Sequence, residues 1–138
     1  MNEVEHQRKV IQDFKAAFPK AYAIKMSNRF LAGIPDLMLK APGHEILFVE
    51  MKVTNYKKGG FVNVDTTRIQ QETMTKMGMA GVRCEVWVVV ANDDDLYMLR
   101  VPPEATRVEC SLSSLAKKEK RGPWPIVEFI NNPVRIYT

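Results

Sequence analysis

The order of apolar periodicities along these 138 residues predicts an α/β fold, a mixed β-sheet flanked by helices. Three observations carry it. An amphipathic helical pattern opens the chain. Two short apolar segments joined by a turn-rich stretch follow, as a hairpin requires. A second helical pattern then leads into a nearly continuous apolar run, the mark of a strand buried on both faces. A hairpin, a crossover helix and a buried strand in that order build a mixed sheet.

Each element has its own signature. Over residues 3–18, Val10, Ile11, Phe14, Ala17 and Phe18 recur at helical spacing, and Pro19 ends the helix. Residues 21–26 read as a short strand with Tyr22, Ile24 and Met26 on one face, and 27–32 as a loop. Residues 34–40 and 46–53 form the hairpin around Ala41-Pro42-Gly43-His44-Glu45. Pro35 fits only at a strand start or edge, because it gives no ladder hydrogen bond. Residues 55–65 are polar and glycine-bearing and read as a loop. Residues 66–79 read as a helix with Ile69, Thr73, Met77 and Ala80 along one side, stopped near Gly81. The run from 82 to 91, centred on Val86-Trp87-Val88-Val89-Val90, is the buried strand. Asn92-Asp93-Asp94-Asp95 is a turn and lacks the later ligands of a calcium loop.

Beyond Pro102-Pro103 the periodicity weakens. Ser111 is a candidate cap for a helix reaching Lys120, and Gly122-Pro123-Trp124-Pro125 breaks it. Residues 126–130 and 134–137 read as a closing hairpin around Asn131-Asn132-Pro133. The expectation is one domain over 1–138, with a core at about 3–101 and an extension at about 102–138.

Composition narrows the function classes. The net charge of +4 permits a polyanionic partner without identifying one. Cys84 and Cys110 form no ligand spacing and no disulfide framework, so reduced thiols in a cytoplasm are the expected state. The first residues lack the pattern of a secretory signal, and no apolar run is long enough to span a bilayer, so no membrane partner is expected. His6 and His44 belong to no catalytic or metal pattern and read as surface residues.

The chemistry concentrates in Gly33-Ile34-Pro35-Asp36 and Glu50-Met51-Lys52. On a strand, Glu50 and Lys52 project from the same face. With a five-residue turn, Met38 pairs with Phe48, and the same register puts Asp36 opposite Glu50. Their Cβ atoms are then roughly 5 Å apart, where two bare carboxylates repel and a cation removes the penalty. Asp36 and Glu50 are hard oxygen ligands suited to Mg²⁺, with Mn²⁺ able to substitute. The Met51 side chain points away, but its carbonyl is available as a further ligand. Such an ion activates water toward a phosphodiester, and Lys52 stands beside it to orient water or to neutralise charge.

At these residues the chain resembles the PD-(D/E)XK nuclease superfamily, and within it the virus-type replication-repair nuclease (VRR-Nuc) group, related to Holliday junction resolvases. The resemblance covers about residues 3–91. It implies a restriction-endonuclease-like fold. It also implies a metal-dependent endonuclease acting on DNA, with branched forms in viral replication, recombination or repair as its targets. Members carry an acidic residue in the first helix, often with Gln four residues later. Glu3 and Gln7 fit, with Glu5 the rival, and helical angles place Glu3 on the face of Val10 and Phe14. Members also often carry a Gln in the helix after the Glu-X-Lys strand, where Gln70 fits better than Gln71. The catalytic set implied is Asp36, Glu50, Lys52, Glu3 and Gln70. Lys25, Arg29, Lys57 and Lys58 flank the motif and are candidates for phosphate contacts, and Lys117-Lys118-Glu119-Lys120-Arg121 is a second basic run. A homodimer would let two sites cut two strands. The alternative is a non-catalytic DNA-binding or host-interaction module on the same fold.

Overall fold

The structure, a computed structural model, describes residues 2–26 and 32–134. Helix α1 spans Glu3–Ala17 and is opened by a capping box: the Asn2 side chain accepts from Glu5 N–H, and the Glu5 carboxylate accepts from Asn2 N–H. Strands β1 (Tyr22–Lys25), β2 (Leu37–Lys40) and β3 (Leu47–Asn55) follow, then a short β4 (Phe61–Asn63) and helix α2 (Arg68–Met79). Strands β5 (Arg83–Asn92), β6 (Asp95–Val101), β7 (Arg107–Glu109) and β8 (Ala116–Lys117) precede the final helix α3 (Ile126–Asn131).

Six strands form one sheet in the order β1-β2-β3-β5-β6-β8. Its pairs are antiparallel except β3 with β5, which run parallel because α2 carries the chain across between them. This is the mixed β-sheet flanked by helices that the sequence predicts. The hairpin register is also as expected, with Met38 opposite Phe48.

Strand alternation divides the core into two layers. Leu37, Leu39, Leu47, Val49, Met51, Trp87 and Val89 face α1 and α3, where they meet Val10, Phe14, Ile126 and Phe129. Val86, Val88, Val90 and Leu99 face the other way, toward Met74 of α2 and Val62 of β4. All eight residues from Arg83 to Val90 are buried, as a strand covered on both faces requires.

Several expectations are corrected. Residues 55–65 are not a loop throughout: β3 runs on to Asn55, and β4 pairs with β7 in a second, two-stranded sheet. Residues 126–130 belong to α3 rather than to a strand, so the expected hairpin lacks its first arm, and most of its second, 135–137, lies outside the described residues. Two arginines, the buried Arg83 and the partly buried Arg100, explain the helix: Arg83 donates to the carbonyls of Ile130 and Phe129, and Arg100 donates to those of Phe129 and Asn132. They hold the helix C-terminus where β-branched residues would otherwise favour a strand. Ser111 opens only a three-residue 3-10 turn, Leu112–Ser114, and the basic run then begins on edge strand β8. Residues past 102 also pack into the main core, through Trp124, Ile126, Phe129 and Ile130.

Smaller corrections concern exposure. Tyr22 stands 61% exposed, because Ala21 and Ala23 supply the inward face of β1. Ile69 is exposed and Met74 is the buried anchor of α2. His6 is buried rather than on the surface, and burial lowers its imidazole pKa. His44 packs edge-on against Phe18.

One glycine fixes the approach to the site. Gly33 has φ +84, and a Cβ there would lie 2.5 Å from Thr73 Oγ1 and 2.7 Å from the Ile69 carbonyl. Only glycine lets this segment lie directly on α2, and Asp36 follows three residues later.

Candidate active site

Pro35 and Asp36 stand where β2 has not yet begun, so β3 loses its partner beyond Val49. Continued one step, the register puts Asp36 opposite Glu50, and two steps put Pro35 opposite Met51. In an antiparallel pair, residues facing each other exchange both hydrogen bonds at every second position. Pro35 has no N–H to give to the Met51 carbonyl. The Met51 N–H donates instead to Asp36 Oδ2 at 2.9 Å. The Pro-Asp pair therefore opens the ladder, fixes the aspartate and leaves the Met51 carbonyl without its strand partner.

Glu50 lies on the α2 face of β3 with 1% exposure. Its Oε2 accepts from Gln70 Nε2 at 3.1 Å and lies 3.4 Å from Lys52 Nζ. Gln70 is held in turn, because its Oε1 accepts from Thr67 N–H at 2.9 Å in the capping box that opens α2. The other oxygen, Glu50 Oε1, is buried and has no hydrogen-bond partner among the described residues. A buried carboxylate oxygen without a donor is costly, and it marks a place where a cation fits.

Glu3, the first residue of α1, supplies the third carboxylate. One oxygen each from Glu3, Asp36 and Glu50 lie within 4.8 Å of one another. The N-cap separates Glu3 from Glu5: the Glu5 carboxylate is turned back onto Asn2, and that of Glu3 faces the cluster. Gln7, one turn on, is buried with its Oε1 unpartnered among the described residues. The donor set is three hard oxygens from three separate elements, which suits a divalent cation such as Mg²⁺ or Mn²⁺.

Electrostatics agree with that fit. Burial, and then the Asp36 carboxylate, push the Glu50 carboxyl up to about 8, and Lys52 offsets this only in part. Burial also raises Glu3, with Lys52 pulling down and Asp36 pushing up. The sign for stability follows. In the metal-free protein, Glu50 keeps its proton between its ordinary value of 4.5 and about 8, while the unfolded chain has lost it. Stability from this group is full below the lower value and is lost as pH rises toward the upper one. A divalent ion must displace that proton, so binding releases it. The expected result is that Mn²⁺ raises the melting temperature more at pH 8 than at pH 5.5. Equal shifts at both pH values would contradict the protonated state.

The remaining expected residues divide. Met51 buries its side chain in the opposite core layer, as expected from alternation. Lys57 joins the site, lining a cleft with Glu3 and Lys52. Lys25 and Lys58 are exposed and do not line that cleft, and Arg29 lies outside the described residues. The cleft adds Asn63, Asp65, Thr66 and Thr106, which no sequence pattern marked. They reach it through the pairing of β4 with β7, a contact between distant segments.

Fold and site together define an α/β protein whose mixed sheet carries a carboxylate cluster and an adjacent lysine at the point where two strands part. No family model matches the chain, and no curated protein matches it in sequence. Among solved structures it is similar to one described as a VRR_NUC domain, 24% identical, with a TM-score of 0.47 over 65% of this chain and 84% of that one. It is also similar to the Archaeoglobus fulgidus Hjc, a Holliday junction resolvase, 13% identical, with a TM-score of 0.47 over 80% of this chain and 85% of that one. Among the described residues, no helix is long and apolar enough to cross a membrane.

Proposed function

We propose that the protein is a metal-dependent endonuclease that hydrolyses phosphodiester bonds in DNA. The observation that carries this reading is the buried, unpartnered Oε1 of Glu50, a residue whose carboxylate clusters with those of Glu3 and Asp36 and whose Oε2 lies 3.4 Å from Lys52 Nζ. Asp36, Glu50, Glu3 and the Met51 carbonyl are the groups that would hold Mg²⁺, with Mn²⁺ as a substitute. The chemistry such an ion supplies when bound is polarisation of the phosphoryl oxygens and activation of water.

The chain's own residues do the rest. Gln70 steadies the Glu50 carboxylate by donating to Oε2. Met51 N–H does the same for Asp36. Lys52 is largely buried, so its ammonium acts at reduced dielectric, where it offsets charge growing on the phosphate. Lys57, Lys25, Lys58 and Arg29 are candidates for backbone phosphates, which would make binding salt-dependent. Branched DNA as substrate, a viral setting, a homodimer and a single domain over 1–138 complete the reading and rest on the family resemblance and the sequence pattern.

Metal removal tests it. EDTA should abolish cleavage of four-way and nicked DNA, and added Mn²⁺ should restore it. Cleavage that persists in EDTA would overturn the mechanism.

A further inference from the structure

Beside the carboxylate cluster runs a cleft of about 560 Å³ that shares Glu3 and Lys52 with it. Its far wall lies outside the six-stranded sheet: Asn63 comes from β4, and Thr106 immediately precedes β7. This wall is firmly held. Val64 N–H donates to the Thr106 carbonyl at 2.7 Å, and Val62 and Val108 face inward against the core. Lys57 N–H donates to the Phe61 carbonyl at 2.9 Å, which folds the intervening loop back and keeps Lys57 at the cleft.

Two features of the wall point to a nucleotide. The first is its mixture of groups. Among the described residues, Lys57 makes no ion pair, so its ammonium is available to a phosphate. Asn63 and Thr106 offer neutral donors and acceptors, which suit a sugar or a base edge, and the Asp65 carboxylate accepts from a base amine but not from phosphate. The second is a stacking platform beside the wall, formed by residues that adjoin the cleft through Asn63 without lining it themselves. The β4–β7 register sets Asn63 opposite Arg107 and Phe61 opposite Glu109, so Phe61, Asn63 and Arg107 share one face. There the Arg107 guanidinium sits over the Phe61 ring, 3.8 Å from its centroid. The Arg107 side chain is 56% exposed, and its contact with the exposed Glu109 is a long 3.8 Å. A guanidinium steadied on an aromatic ring presents a flat surface on which an unpaired base stacks. A cleft of this volume suits one nucleotide-sized molecule.

Resting on the nuclease reading above, we infer that the outer face of β4 and β7 is a subsite for an unpaired nucleotide next to the scissile phosphate. Arg107 stacks on its base, Asn63 and Thr106 meet its edge or sugar, and Lys57 takes the intervening phosphate. The substrate strand is therefore single at that position, as in a splayed arm or flap, even where the rest is duplex.

A cycle of two changes tests this with the full chain and Mn²⁺, reading kcat/KM on an oligonucleotide with a single-stranded arm. One change moves an abasic residue, one nucleotide at a time, across the cut. The other is Arg107→Ala. At one position the abasic residue should lower kcat/KM about ten-fold or more, and Arg107→Ala should lower it equally on the intact strand. Together they should lose no more than either alone, because both remove the same stack. Arg107→Lys should behave like Arg107→Ala, since an ammonium keeps the charge and loses the plane. If the two losses multiply, or no abasic position matters, the subsite is overturned and the nuclease reading stands. If the wild type cuts no nucleic acid, the nuclease reading falls and the subsite with it.

Discussion

Asp36→Asn should leave the protein folded and lower cleavage by about a thousand-fold or more, the several kcal/mol that a lost metal ligand removes from transition-state stabilisation. Asparagine is the informative replacement. It keeps a carbonyl oxygen that accepts from Met51 N–H, where alanine would leave that donor unpaired at roughly 1–3 kcal/mol. It removes one charge from a cluster whose members lie within 4.8 Å. The Asp36 charge is one cause of the raised Glu50 carboxyl, so the variant should also bring Glu50 back toward its ordinary range. Two measurements settle the matter: a urea transition to establish folding, and a cleavage time course with Mg²⁺. Undiminished cleavage by a folded Asp36→Asn protein would mean that the carboxylate cluster is not the site of reaction.

The largest loss of stability is expected far from that cluster, at Glu85. This residue is fully buried and accepts from Arg83 Nε at 2.8 Å, Trp87 Nε1 at 2.9 Å, Arg100 at 3.1 Å and Val134 N–H at 3.1 Å. It is the buried counter-charge for two guanidiniums that also hold the C-terminal carbonyls of α3. Glu85→Ala leaves the buried Arg83 and the partly buried Arg100 without their counter-charge, a change of about 3–5 kcal/mol. Typical domains have only about 5–15 kcal/mol in total. A large fall in the urea midpoint is therefore expected, with α3 detaching first. A Glu85→Ala protein within about 1 kcal/mol of wild type would show that the arginines reach water or another acceptor.

These two residues show how unevenly the sequence discloses its structure. Asp36 and Glu50 belong to one hairpin, and a five-residue turn plus the two-residue period of strands was enough to set them face to face. An acidic residue in the first helix was implied by the family resemblance, helical angles favoured Glu3, and the capping box at Asn2 explains why Glu5 faces elsewhere. The Glu85 network left no such trace. Arg83, Glu85 and Arg100 sit on neighbouring strands of one sheet, but their purpose comes from α3, which the composition of Ile126-Val127-Glu128-Phe129-Ile130 disguises as a strand. Helix formation there rests on packing against Trp87 and on arginine capping, and tertiary contacts of that kind override a weak local preference.

Local periodicity by itself determined the sheet's central strands, their register, the two long helices and the meeting of Asp36 with Glu50. Each depends on residues close in the chain, or on an apolar pattern that only one face can bury. The tertiary structure alone decided that β4 pairs with β7, that His6 is buried, that α3 is a helix, and that Lys57, Asn63 and Thr106 share a cleft with the carboxylates. Those features join segments far apart in sequence, and no repeating pattern records a partner that is reached only when the chain has folded.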